Sequence, residues 1–294
     1  MPKLHKNRKI KRTKGESIIF FIVGVIFFVY AITFIVPCLW MVMSSFKNFV
    51  DYTLDLTAGT PFKLPETWVW QNYVDAFEMM EVEGTNFIGM IFNTLWQTFL
   101  PMGIAIIVST AFAYTVSSMP FKGRNFLYGL VVTIMIMPIM TSGGATFKLY
   151  RILGIYDTPF AFLTGCFGFG NFFYYYAFFK GVSRSYAEAV YIDGGGEFSA
   201  FFKVILPQAA SMIGVFCILG FISGWNSYMD VLLYLPSYPS VGSGLYIMKN
   251  TFLRTGKDPI YFAGSTVAML PTLLMFCTFS DKIMTSVSIG GLKG

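Results

Sequence analysis

Apolar positions gather into six long runs near residues 18–43, 87–117, 126–147, 159–181, 209–234 and 260–283. A helix needs about 20 such residues to cross a bilayer. The pattern predicts an all-α, polytopic membrane protein with six transmembrane helices. One membrane domain over 18–283 then lies between a basic tail, 1–17, and a short tail, 284–294. The second run is long enough to tilt or to include an interfacial end. The third is interrupted by Pro138 and by Gly143-Gly144, and such breaks persist only where protein or water satisfies the freed backbone groups. An ordinary packing kink and a solute-lining role both fit that break. Segment 46–85, with Pro61, Pro65 and Trp68-Val69-Trp70, is too polar to span. It predicts an outer loop with short interfacial helices and tryptophans at headgroup level.

Charge sets the orientation of these runs. Lys3, Lys6, Arg8, Lys9, Lys11, Arg12 and Lys14 precede the first run, and clustered Lys and Arg hold a segment in the cytoplasm. The 46–85 segment opposes Lys47 and Lys63 with Asp51, Asp55, Glu66, Asp75, Glu78, Glu81 and Glu83, which predicts an outer location. Six crossings then put 148–158 and 235–259 outside, and 118–125, 182–208 and both termini in the cytoplasm. The basic start is not a secretory signal, because the apolar run after it is far longer than a signal core and no small-residue cleavage site closes it. Because the tail abuts the membrane, nucleic acid is not an expected partner.

Composition narrows the chemistry. Hydrophobic residues make up 55% and charged residues 12%, against about 25% charged in soluble domains. Cys38, Cys166, Cys217 and Cys277 sit inside apolar runs without paired spacing, so neither a disulfide framework nor a zinc site is indicated. The only histidine is His5. A Ser-His-Asp or Cys-His set and a metal cluster are therefore not expected, and catalysis is not assigned to this chain.

The most informative polar segment is 182–208. Glu188-Ala189-Val190 is followed by three residues, Gly194, nine residues and Val204-Ile205-Leu206-Pro207. This resembles the "EAA" loop of binding-protein-dependent ABC importer permeases, with Val190 where a second Ala is usual and Val204 where Ile is usual. Tyr186 to Ile192 can form two helical turns, with Ala187, Ala189, Val190 and Tyr191 giving apolar contact and Glu188 a polar face. Asp193 ends them, and Gly194-Gly195-Gly196 breaks the helix. A further turn from Glu197 leads to Leu206-Pro207 and the fifth run. The resemblance implies a short jointed knob that docks on an ATPase and passes its motion to the membrane helices.

The likeness covers nearly the whole chain in order. Val36-Pro37-Cys38-Leu39-Trp40-Met41, Asn93-Thr94-Leu95, Met119-Pro120-Phe121-Lys122-Gly123-Arg124, Gly154-Ile155-Tyr156-Asp157-Thr158, Gly224-Trp225-Asn226 and Gly290-Gly291-Leu292-Lys293-Gly294 resemble the carbohydrate-type, maltose-transporter-like permeases. Such permeases pair with a second permease, two ATP-binding cassette subunits and an extracytoplasmic solute-binding protein in the bacterial cytoplasmic (inner) membrane. The chain has no Gly-x-x-x-x-Gly-Lys-Ser/Thr loop, so no cofactor is expected on it. ATP and Mg are expected on the partner ATPases. The resemblance also suggests that residues near 288–294 reach those ATPases.

Trp225, Asn226 and Tyr228 combine aromatic faces with a hydrogen-bonding amide at membrane depth, which suits a sugar pathway; helix packing explains Asn226 equally. Asp230, one turn on, suits an outer interface or a pore exit. An ion-coupled secondary carrier is the alternative of another class, and it would call for inverted repeats and facing buried ionisable groups. The spans supply almost none. A sensor or structural membrane protein would carry an appended soluble domain, which is absent from the pattern. Within the permease reading, an amino acid, a peptide or a sugar phosphate remains open as solute.

Overall fold

A computed structural model describes residues 13–137, 142–167 and 169–289. His5, Pro138 and Gly290 to Gly294, all invoked above, lie outside the described residues, as does most of the basic tail. The helices run α1 (Lys14–Ser44), α2 (Phe49–Thr57), α3 (Gln71–Met79), α4 (Phe87–Ser118), α5 (Arg124–Ile136), α6 (Ser142–Ile152), α7 (Pro159–Leu163), α8 (Phe172–Gly181), α9 (Ser185–Ile192), α10 (Glu197–Ala200), α11 (Leu206–Gln208), α12 (Ala210–Trp225), α13 (Met229–Tyr234), α14 (Val241–Arg254) and α15 (Asp258–Ile289). A two-residue antiparallel pair, β1 (Glu81–Val82) and β2 (Thr85–Asn86), interrupts the all-helical plan. Glu83 and Gly84 turn it with positive φ.

Helix α4 is the spine. It packs against α8, α12, α14 and α3 along its length. At its Ser118 end, Ala113, Tyr114 and Val116 join Phe172, Tyr175, Phe179, Phe201 and Ile205 in one buried cluster. At its Phe87 end, Phe87 and Met90 join Ala76, Met80, Val241, Met248 and Phe252 in another. Segments 46–85 and 235–259 thus share one end of the bundle, and 182–208 occupies the other. Close approach helps: a Cβ at Gly224 of α12 would sit 2.9 Å from Thr98 Cγ2 of α4.

Unbroken crossings are fewer than the six apolar runs. Among the described residues, three helices are long and apolar enough to cross alone: α1, α4 and the first 23 residues of α15. A pair, Glu197–Gln208 and Ala210–Trp225, is apolar enough only when taken together and is bent by 74°, the geometry of a broken span or a re-entrant loop. The third run divides where Met137 adopts φ −64, ψ 120, the extended backbone that a following proline enforces. Helix resumes at Ser142 and continues to Ile152, past the expected end at 147. The fourth run splits into α7, a 3-10 turn at Thr164–Phe167 and α8. The fifth stops at Trp225 instead of 234, because Asn226 Nδ2 donates to Ile222 O at 2.7 Å and competes with the helical ladder.

The expected outer loop 235–259 is largely helical. Ser240 and Ser243 cap each other's backbone N–H at the start of α14, and Val241 N–H donates to Thr94 Oγ1 at 2.9 Å. Asp157 receives Ser237 N–H and Oγ–H at 3.0 and 2.6 Å, which ties loop 148–158 to the same end.

The 46–85 segment contains an ion pair that its polarity concealed. Lys47 Nζ lies 2.7 Å from Asp55 Oδ2, with side-chain exposures of 1% and 10%. Asn72 Nδ2 donates to Ser45 O and Lys47 O at 2.7 and 2.8 Å, locking α3 onto the end of α1.

Candidate functional site

The polar segment at the Ser118 end begins with α9. Ala187 is its inward residue, while Tyr186, Glu188, Ala189 and Asp193 are exposed and Val190 is half-buried. Asp193 N–H donates to Ala189 O and Gly194 N–H to Tyr191 O, closing the helix. Gly194 then takes φ +80, a left-handed value that side chains with a Cβ resist. Gly195 N–H donates to Val190 O at 2.8 Å. A Cβ on Gly195 would meet Val190 Cγ1 at 2.5 Å. Two of the three glycines are therefore needed for the turn itself.

Beyond the turn, α10 leads into a wide π-helical turn at Phe201–Ile205. Pro207 follows, and its ring crowds the carbonyl four residues earlier and offers no N–H, which accounts for the widened turn. Leu206 is half-buried and Pro207 exposed. Phe201 and Ile205 are rooted in the core, where Phe201 stacks on Tyr114 with centroids 5.4 Å apart.

Two arginines cap the spine here, Arg184 from this segment and Arg124 from the start of α5. Arg184 donates to Ser118 O at 3.0 Å and Arg124 to Ser117 O at 2.7 Å. Both satisfy last-turn carbonyls of α4, where the helix dipole favours a cation. Sequence reasoning placed Arg124 within a family-like motif without a capping role and missed Arg184, which lies 66 residues from its acceptor.

Behind α9 lies a cavity of about 240 Å³ lined by Tyr114, Ser118, Arg184, Glu188, Tyr191 and Glu197, among others. Tyr191 donates its phenolic O–H to Glu197 Oε2 at 2.6 Å. That bond spans the glycine turn and raises the Tyr191 pKa, with partial burial adding to it. The phenol therefore remains the donor throughout the neutral range. Tyr191→Phe should loosen the turn, shifting its closed population by about two- to tenfold for one modest hydrogen bond. Faster hydrogen exchange at amides 193–197 is the expected readout, and unchanged exchange would count against this latch.

Among its exposed charges, the segment also presents large apolar side chains. Ile192 and Phe198 are 85% and 82% exposed, and Tyr186 and Phe202 about half. The expected pathway residues fare differently. Trp225 is buried, stacks on Phe221 and donates its indole N–H to Ala268 O at 2.9 Å, so it is packed as a helix-helix contact. Asn226 and Tyr228 are exposed on the break that follows α12. Asp230 stands 3.5 Å from Ser227 Oγ. Among the described residues, no group of three or more His, Cys, Asp or Glu could hold a metal ion.

A bundle of apolar helices with a glycine-jointed polar segment at one end suits a membrane permease. Residues 117–287, more than half of the chain, match the binding-protein-dependent transport system inner membrane component family, and the chain belongs to it. Relatives include the diacetylchitobiose uptake system permease protein NgcG of Streptomyces coelicolor, 26% identical over 90% of this chain and 86% of that protein. The arabinooligosaccharides transport system permease protein AraQ of Halalkalibacterium halodurans is 24% identical over 96% of this chain and 100% of its own. The trehalose transport system permease protein SugB of Mycobacterium tuberculosis is 25% identical over 88% and 93%. The fold is shared with a chain of a bacterial ABC transporter involved in alginate import, at TM-score 0.77 and 19% identity, over 93% of this chain and 99% of that one. The protein is a multi-pass permease subunit of an ABC transporter and is not itself an enzyme.

Proposed function

We propose that this chain forms half of the translocation pathway for a sugar, most simply an oligosaccharide, in the cytoplasmic membrane of a bacterium. Solute arrives from an extracytoplasmic binding protein. Two ATP-binding cassette subunits, carrying ATP and Mg, drive the cycle, and a second permease completes the pathway. The reading has six crossings, with both termini and segment 182–208 in the cytoplasm; the broken third, fourth and fifth runs complete their crossings against neighbouring protein.

One observation carries the proposal: relatives matched over nearly their full lengths are named for the uptake of diacetylchitobiose, arabinooligosaccharides and trehalose. The exposed Tyr186, Ile192, Phe198 and Phe202 support the coupling role, because an apolar surface of this kind on a polar segment calls for a partner. Tyr186, Ala187, Glu188, Ala189, Val190 and Asp193 form the docking helix in this reading, Gly194 its joint, and Leu206 and Pro207 the link to α12. Asn226 and Tyr228 border the solute path, and Trp225 supports them from within.

The test is a thermal-shift screen of the binding protein encoded beside this permease against oligosaccharides, amino acids and peptides. Saturable stabilisation by an oligosaccharide is expected, since binding to the native state raises apparent stability. Stabilisation by amino acids or peptides alone would overturn the sugar.

A further inference from the structure

We propose that Tyr228 and Tyr246 form a stacking platform for one sugar ring at the Phe87 end of the bundle, an assignment that rests on the sugar reading above. The two rings lie 5.0 Å apart at 24° to each other. They are 38% and 48% exposed, so the pair presents aromatic surface outward instead of filling the core. Tyr228 comes from the break after α12 and Tyr246 from α14, elements joined by a tight contact. A Cβ at Gly242 would meet Ser227 O at 3.2 Å and Tyr228 Cβ at 3.4 Å. The buried Ser240–Ser243 cap holds that helix start in place. The platform is therefore built on fixed backbone.

Its surroundings are those of a wet site. Asn226, Asp230 and Lys249 are all exposed beside it, and Lys249 follows Tyr246 by three residues on one helix face. Exposed carboxylate, amide and ammonium groups do not gather on a lipid-facing wall, where each is costly. Asn226 spends its N–H on Ile222 O and has Oδ1 left to accept from a hydroxyl. Aromatic faces carry partial negative charge and suit the C–H face of a pyranose, while the flanking groups suit its hydroxyls.

A cleft of about 260 Å³ adjoins the platform, lined in part by Asn226, Gly242, Ser265 and Thr272. Thr272 Oγ1 is buried there without a partner. Ligand pockets run from about 300 to 1,000 Å³, so this cleft accommodates one ring of a passing chain. Tyr246 belongs to the segment read from sequence as an outer loop.

The test uses the assembled importer in proteoliposomes, with trehalose, diacetylchitobiose and arabinotriose as probes. Tyr246→Cys, in a background lacking Cys38, Cys166, Cys217 and Cys277, should react with a membrane-impermeant maleimide and be protected by the transported sugar. No reaction would place the pair against lipid and overturn the platform. Tyr246→Ala should lower kcat/KM for uptake about three- to tenfold, mainly through KM, as expected for one lost aromatic contact. Tyr246→Phe restores the ring and should recover most of that loss. An Ala variant matching wild type, or a Phe variant as impaired as Ala, would overturn the proposal. Wild-type importer that carries amino acids or peptides and no sugar fails before any substitution is made, which separates failure of the sugar reading from failure of the platform.

Discussion

Gly195→Val should abolish coupled uptake while leaving the chain inserted in the membrane. The valine Cβ would sit 2.5 Å from Val190 Cγ1 and 3.0 Å from Val190 O, closer than side-chain rotation can relieve because one contact is backbone. The turn must open, and α9 then leaves its position over the Tyr114 cavity. Gly194→Ala acts through φ +80, at a cost of about 1–2 kcal/mol for a left-handed residue with a Cβ. Its effect should be the same in kind and smaller. Glu188→Ala removes an exposed carboxylate without touching the core, so it isolates the docking contact. Uptake into proteoliposomes and phosphate release, measured together, check all three. We expect uptake to fall by at least about tenfold for Gly195→Val while ATP turnover continues, the sign of a disconnected joint. Unimpaired uptake in both Gly195→Val and Glu188→Ala would sink the coupling assignment.

The second large effect is on stability. Lys47 and Asp55 are paired at 2.7 Å with almost no exposure, so removing one partner leaves an uncompensated buried charge. Asp55→Leu alone should cost about 3–5 kcal/mol. Lys47→Met combined with Asp55→Leu should recover most of it, because replacing both charges by apolar groups is often neutral or better. Thermal unfolding in detergent reads both variants. Equal stability for the single variant and wild type would show that the pair contributes nothing. Asn72→Ala should behave as a milder version, since its amide holds Ser45 O and Lys47 O.

Segment 182–208 was largely readable from residue order because its signals are local. Two helical turns were expected over Tyr186 to Ile192 and the helix covers Ser185–Ile192; glycine marked the break, where Gly194 takes positive φ. The features that escaped are set by distant partners. Nothing near Val241 announces that Thr94 will receive its N–H, so α14 was hidden inside an expected loop. Arg184 and Arg124 cap a helix from other segments. Apolar runs such as 209–234 carry almost no periodicity, so neither the stop at Trp225 nor the inward turn of its indole could be read. Lys47 and Asp55 looked like ordinary solvated loop charges because burial depends on Asn72 and α3 folding over them.

The arginine caps give α4 a further mechanical meaning. An α-helix rises about 1.5 Å per residue, so the 32 residues of α4 make a rod of about 48 Å by the same rise. Its capped end is bonded to Arg184 at the start of α9, and its far end packs on α14, which carries Tyr246. A tilt of about 5° at the capped end would sweep the other end through about 4 Å over that length. That is comparable to the thickness of a sugar ring, so under the proposed function a small rocking step at the capped end would have enough leverage to open or shut a passage at the other.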